Sequence, residues 1–162
     1  MWTASQKYSK YRVYKGRTRQ GISWVQFKDG ENMKRQAIVS SKLSKPVGVF
    51  SHAVKAEGKQ FLFISGLTAR DINGNIVGKG DMKAQTRQIL ENMKIVLEEA
   101  GASFDQIVKV TVYVTDMKDF KDIHEVRAQY FKGDLPASTL VQVSRLVNED
   151  CLIEIDAIAV LG

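Results

Sequence analysis

One cysteine, Cys151, and two histidines, His52 and His124, are all the thiol and imidazole this 162-residue chain contains. A lone thiol excludes an internal disulfide and any multi-cysteine metal site. The histidines stand far apart, without the spacing of a metal-binding pair. No apolar run approaches the roughly 20 residues needed to span a bilayer. The opening Met1-Trp2-Thr3-Ala4-Ser5-Gln6-Lys7 leads into charge and not into an apolar segment, so no secretory signal is expected. Walker loop, nucleophile elbow and dinucleotide fingerprint are missing. So are internal repeats and low-complexity stretches. These absences predict a cytoplasmic, metal-free protein with no membrane partner.

Composition is otherwise that of a globular domain, 44% apolar and 26% charged. The net charge of +6 is unevenly placed. Before Met33 there are seven basic residues (Lys7, Lys10, Arg12, Lys15, Arg17, Arg19, Lys28) against Asp29 and Glu31, so five of the six excess charges fall there. The expectation is a basic extension over 1–32 and one domain over 33–162. Tyr8, Tyr11, Tyr14 and Trp24 interleave with the charge, a pattern compatible with RNA stacking. A solvated terminus without a partner is the commoner meaning of such a segment, and nucleic acid is not the expected partner. Ile22, Trp24, Val25 and Phe27 have the composition of a short strand.

From Met33 the pattern alternates between strand and helix. Short strands are expected over 35–40 and 50–56. Gln60-Phe61-Leu62-Phe63-Ile64-Ser65, bounded by Gly58 and Gly66, reads as a buried strand. Asn73-Gly74 marks a turn. The spacing predicts a helix from Met82 to Ala100, N-capped by Asp81 and stopped at Gly101. Its inward stripe is Met82, Thr86, Ile89, Leu90, Met93, Val96, Leu97 and Ala100. Ser103 to Gln106 has capping-box form. Ile107 to Val114 alternates with Val108, Val110, Val112 and Val114 on the core side. A second amphipathic helix is expected over 117–131 with Phe120, Ile123, Val126 and Tyr130 inward. Strands over 139–146 and 152–160 complete a β-β-β-α-β-α-β-β order, an α+β chain with helices on one face of a mixed sheet.

The residues carry little unambiguous chemistry. Ser51 and His52 are adjacent, so on a strand they point to opposite faces and form no dyad. Glu154 and Asp156 at i, i+2 share one face of the last strand, where paired carboxylates can do acid–base work. Two acids on a solvated sheet face are the more ordinary meaning of that spacing.

Leu135-Pro136-Ala137-Ser138-Thr139, Val143-Ser144-Arg145-Leu146 and Ile153-Glu154-Ile155-Asp156-Ala157-Ile158-Ala159 together resemble the C-terminal signature of the Rid (reactive intermediate deaminase, YjgF-like, L-PSP endoribonuclease) family. The likeness extends back through Val108-Lys109-Val110-Thr111-Val112, Ala100-Gly101-Ala102-Ser103, Glu91-Asn92-Met93, Gln85-Thr86, Ser65-Gly66 and the entry segment Gly48 to Val54, and it covers nearly everything from Met33 onward. It implies a chorismate-mutase-like α+β fold, a homotrimer, and small-ligand pockets between subunits. It also implies hydrolysis of enamines and imines such as 2-aminoacrylate to a keto acid and ammonia, without a cofactor. In that family an arginine after Pro-Ala clamps the substrate carboxylate, and a strand glutamate helps place the attacking water.

Carried onto this chain, the resemblance puts ligand contacts at Phe50, Gly66, Arg127, Ser138 and Leu140, and catalytic groups at Asp156 and His124. Several positions depart from the family pattern. Ser138 stands where the arginine belongs, so a bidentate, charged donor becomes one neutral hydroxyl. Loss of such a contact costs on the order of 2–5 kcal/mol, tens to thousands of fold for a carboxylate substrate. Phe50 replaces a tyrosine, His124 an asparagine, Arg127 a tyrosine, and Leu67 a glutamine; Asp156 is one methylene shorter than the glutamate it matches. Two meanings stay open. In one the pocket is rebuilt around His124, which titrates near neutrality, and Arg127, a charge from another direction. In the other the pocket has left this chemistry, and the protein is a trimer that binds a metabolite or another protein. Helical arginines are ordinarily exposed, which weighs against Arg127 as a replacement clamp.

Overall fold

The computed structural model describes the backbone at residues 11–18 and 21–28, and backbone and side chains at 34–162. The chain divides into two compact units, Met1–Asn32 and Met33–Gly162. In the first, β1 (Tyr11–Thr18) pairs antiparallel with β2 (Gly21–Lys28), in register from Tyr11 opposite Lys28 to Thr18 opposite Gly21. The strand expected at Ile22 to Phe27 lies within β2. Residues 1–10, with Lys7, Tyr8 and Lys10 of the expected basic arm, lie outside the described residues.

In the second unit, β3 (Lys34–Ile38) and β4 (Ala53–Glu57) form an antiparallel pair. A four-stranded sheet follows, in the order β5 (Gln60–Leu67), β8 (Ile153–Leu161), β6 (Ile107–Val114), β7 (Ala137–Gln142). β6 and β7 are parallel and the other neighbours antiparallel, so the sheet is mixed. A parallel pair needs a crossover, and α2 (Phe120–Tyr130) lies in the connection. With α1 (Met82–Glu99) it packs on one sheet face, burying Ile89, Leu90, Met93, Leu97, Ile123 and Val126 against Val110, Val112, Ile153 and Ile155. Among the described residues no helix is long and apolar enough to cross a membrane.

The ends of α1 follow from local chemistry. Asp81 accepts the Ala84 N–H at 3.0 Å, and Gly101 leaves the helix at φ +70°. The inward stripe holds except at its last turn, where Val96 is half-buried and Ala100, at the C-cap, is exposed. Gln85 is fully buried on the same face. Its Nε2 donates to the carbonyls of Gly78 (3.2 Å) and Asp150 (2.7 Å), and its Oε1 accepts the Leu152 N–H (2.8 Å). A buried amide with such partners ties the approach to β8 onto α1.

Two expectations shift in phase. On β6 a bulge between Ile107 and Lys109 puts Ile107, not Val108, into the core. β7 begins at Ala137, two residues before the expected start, because Ala137 bridges to Ser51 and the Ser51 N–H donates to Pro136 O at 3.0 Å. Ser138 is therefore a strand residue, paired in register with Val110 and turned to the helix side.

Candidate functional site

The helix side of β7 gathers five of the residues singled out above. His124 and Arg127, at i and i+3 on α2, share a face and both reach the segment 48–50. His124 Nδ1 accepts the Val49 N–H at 3.0 Å, and its ring lies so close to Gly48 that a Cβ there would fall 2.4 Å from Cε1. Phe120 closes over the ring at a centroid distance of 4.2 Å. An Nδ1 that accepts a backbone N–H must be unprotonated, so the neutral ring carries its proton on Nε2. Burial, reinforced by the nearby Arg127 charge, pushes the His124 pKa down to about 4. His52 does similar work earlier in the segment: Nδ1 accepts the Ser40 N–H and Nε2 meets Ser44 O, both at 2.9 Å.

Arg127 overturns the expectation of an exposed helical arginine: it is fully buried. The inward face of α2 meets β7 at Ser138, whose small side chain leaves room for a guanidinium. Nη2 donates to Val49 O (3.3 Å) and Ser138 Oγ (3.1 Å), while Nε and Nη1 are buried without a partner. The guanidinium sits 5.6 Å from the Phe131 ring centroid. No carboxylate pairs with it among the described residues. Burial lowers its pKa to about 10, so it stays charged at neutral pH. The Val49 peptide is thus held at its N–H by His124 and at its carbonyl by Arg127. Phe50 follows, half-buried, and half-buried Leu140 lies two residues along β7 from Ser138 on the same face.

Gly66 and Asp156 lie elsewhere. β5 breaks register with β8 between Ile64 and Leu67, leaving Ser65-Gly66 outside the ladder. The carboxylate against that bulge belongs to Glu154: a Cβ on Gly66 would fall 1.9 Å from Glu154 Oε1, so a side chain there would displace the carboxylate. Glu154 has no hydrogen-bond partner among the described residues. Asp156, two residues on, accepts from Tyr113 OH at 3.0 Å, a bond that raises the tyrosine pKa. Lys109 completes the row, reaching Thr139 Oγ1 at 2.5 Å, with its pKa lowered by burial against the favourable charge of Asp156.

The register separates these groups. Ile153, Ile155 and Ala157 of β8 face the helices, so Glu154 and Asp156 face the open side. His124 and Asp156 are on opposite faces of the sheet, and no hydrogen bond joins them. β5 and β7 are the two edges of the sheet, three strand spacings or roughly 14 Å apart. Gly66 with Glu154, and Ser138 with Arg127, are therefore two separate pairs on one chain. Cys151 is fully buried and apart from both. Among the described residues no group of three His, Cys, Asp or Glu side chains could hold a metal ion.

Two layers, with two helices on one face of a mixed sheet and polar groups at both sheet edges, define a small α+β domain. The sequence model of the family described as Endoribonuclease L-PSP matches residues 40–161. A RutC family protein of Pyrococcus horikoshii is 48% identical over 125 residues, covering 77% of this chain and 97% of its own length. The crystal structure of YyfB, a Rid family protein of unknown function from Yersinia pestis, aligns with a TM-score of 0.74 at 35% identity, over 78% of this chain and 98% of its own. RidA from an Antarctic Psychrobacter aligns at 0.59 and 33% identity, over 78% and 99%. The chain belongs to the Rid (YjgF-like, L-PSP) family.

Proposed function

We propose that this protein is a homotrimeric hydrolase of small enamines or imines whose pockets form where the β5 edge of one copy meets the β7 edge of the next. The observation that carries the reading is Glu154 lying on Gly66 at the β5 bulge: a carboxylate without a hydrogen-bond partner beside backbone outside the ladder. Such a group holds a water and takes its proton. The water oxygen adds to the C=N carbon as Glu154 takes the water proton and delivers it to the nitrogen. The carbinolamine then collapses to a carbonyl: Glu154 passes the hydroxyl proton to the amine, the C–N bond breaks and ammonia leaves. Asp156 is the second carboxylate for this role, although its bond to Tyr113 engages it.

Assembly is supported by the same geometry. Glu154 on β8 and Ser138 on β7 lie two strand spacings, roughly 10 Å, apart and on opposite faces of the sheet, so for one imino acid the two half-sites meet only between copies. The open sheet face also exposes Phe61 (64%) and Phe63 (72%), stacked at 6.3 Å, an apolar pair that a neighbouring copy would cover.

The test is keto acid and ammonia release from freshly generated 2-aminoacrylate and bulkier imino acids, with the mass of the assembly measured in the same preparation. Glu154→Gln is expected to lower kcat by about 10²–10⁴-fold, the span of general-base catalysis, while Asp156→Asn loses less. Turnover unaffected by Glu154→Gln would sink the assignment. A second reading, a trimer that binds a metabolite without turnover, is favoured by Ser138 replacing the family arginine. It predicts ligand stabilisation with no product.

A further inference from the structure

We propose that Ser138 and Arg127 form an anion subsite that selects for charge without selecting for shape, the Ser138 hydroxyl touching the anion and the buried guanidinium supplying the positive charge behind it. The inference deepens the reading above and rests on it only for placing a pocket at the β7 edge.

Three observations carry it. First, Arg127 is fully buried, touches no carboxylate among the described residues, and leaves Nε and Nη1 without acceptors. A buried, uncompensated guanidinium is costly unless something negative offsets it. Its hydrogen-bond acceptors, Val49 O and Ser138 Oγ, are neutral. Its titratable neighbours His124 and Lys109 are a neutral ring and a second cation, so nothing nearby cancels the field.

Second, both protein contacts of the guanidinium come from Nη2. The edge pairing Nη2 with either remaining nitrogen is therefore already engaged, and no free fork is left to grip a carboxylate through two parallel bonds. The guanidinium acts here as a charge and not as a shape.

Third, Ser138 Oγ accepts from Arg127, which leaves its own proton free to donate outward, and Ser138 is half-buried where Arg127 is fully covered. Of the two residues, Ser138 is the one with exposed surface. A hydroxyl polarised by a cation behind it is a stronger donor than a free one, and an anionic acceptor gains most from it. Planar and tetrahedral oxyanions satisfy one hydroxyl equally well. The expected ligands are thus small oxyanions, carboxylate or otherwise, and a neutral isostere is excluded.

Binding to the full-length protein in low-chloride buffer, followed through the Ser138 amide resonance, tests this with three probes: acetate, inorganic phosphate and acetamide. The expectation is that acetate and phosphate bind within about threefold of each other and acetamide at least about tenfold more weakly. Arg127→Lys should keep the preference for anions, while Arg127→Tyr should abolish it. Ser138→Ala should weaken both anions alike, and Ser138→Arg should tighten both by restoring a fork. Acetamide binding as well as acetate in the wild type overturns the proposal, even should Arg127→Tyr fail to fold. So does an Arg127→Tyr protein that folds and still prefers anions. Because no turnover is read, the binding measurement stands apart from the hydrolysis measurement. Loss of anion binding with hydrolysis intact therefore refutes the subsite alone, and the converse refutes the hydrolase alone.

Discussion

His124 shows how one side chain can hold a segment and set its pH limits. Its folded pKa lies near 4, below the ordinary 6.5 of a free imidazole, because burial and Arg127 disfavour the charged ring. As pH falls below about 6.5 the unfolded chain takes up a proton that the native ring refuses, so the stability present at neutral pH declines until pH reaches about 4. The ring is half-exposed, so solvent screening reduces the effect to about 1–2 kcal/mol. Urea midpoints between pH 7 and 4 should fall in the wild type. In His124→Asn, which has no titrating ring, the fall should be shallower by that amount. Equal slopes in the two proteins would mean that His124 does not sense the solvent proton. At this same scale the residue pattern is incomplete as a guide: His124 is visible as an oddity, yet nothing in the spacing says that it accepts from the Val49 backbone.

At the scale of elements, α1 and the approach to β8 are joined through Gln85. Its amide meets two carbonyls and one N–H, of which Asp150 O and the Leu152 N–H lie far along the chain. Gln85→Leu keeps the volume but removes all three bonds, and the cost should be about 2–4 kcal/mol. Amide exchange should quicken at Leu152 well before the centre of α1. If Leu152 exchange follows the global opening unchanged, the link is not what holds this approach in place. The helix itself was legible from its capping residues and its 3.6-residue stripe. Gln85 was not, because a glutamine next to an apolar stripe reads as polar surface until its partners at Asp150 and Leu152 are known.

At the largest scale, the domain from Lys34 onward presents the opposite imbalance among the described residues, a covered helix face and a sheet face with exposed aromatic rings. Phe61 and Phe63 alternate on the edge strand β5 and point to the open side, where the row from β8 and β6 is largely polar. Phe63→Glu should leave the fold of one chain intact, since the ring contributes little to its core. It should convert the assembly to monomer by sedimentation velocity, with loss of hydrolysis because the half-sites no longer meet. A monomeric variant retaining full turnover would show that one chain suffices and that the edge-to-edge pocket is wrong. β5 illustrates the limit of pattern reading at this scale: its apolar run reads as a buried strand, and a single chain buries only part of it.

Local and periodic physics determined a great deal here. The Asp81 cap, the Ser103 capping box, the Gly101 stop and the helix and strand periodicities marked most elements of the domain from Lys34 onward, and the ordered matches from Gly48 to Ala159 pointed to the family. The face of each β8 carboxylate was also legible, since Glu154 and Asp156 two residues apart must share a side. What only the tertiary structure decided is which groups meet. Arg127 and Ser138 lie on different elements, and their contact depends on how α2 settles over β7. Glu154 and Gly66 meet through a bulge that shifts β5 against β8, a register change that neither strand announces. Side-chain periodicity is a property of one strand or helix, whereas a site is made by packing one against another, and packing is set by the whole core at once.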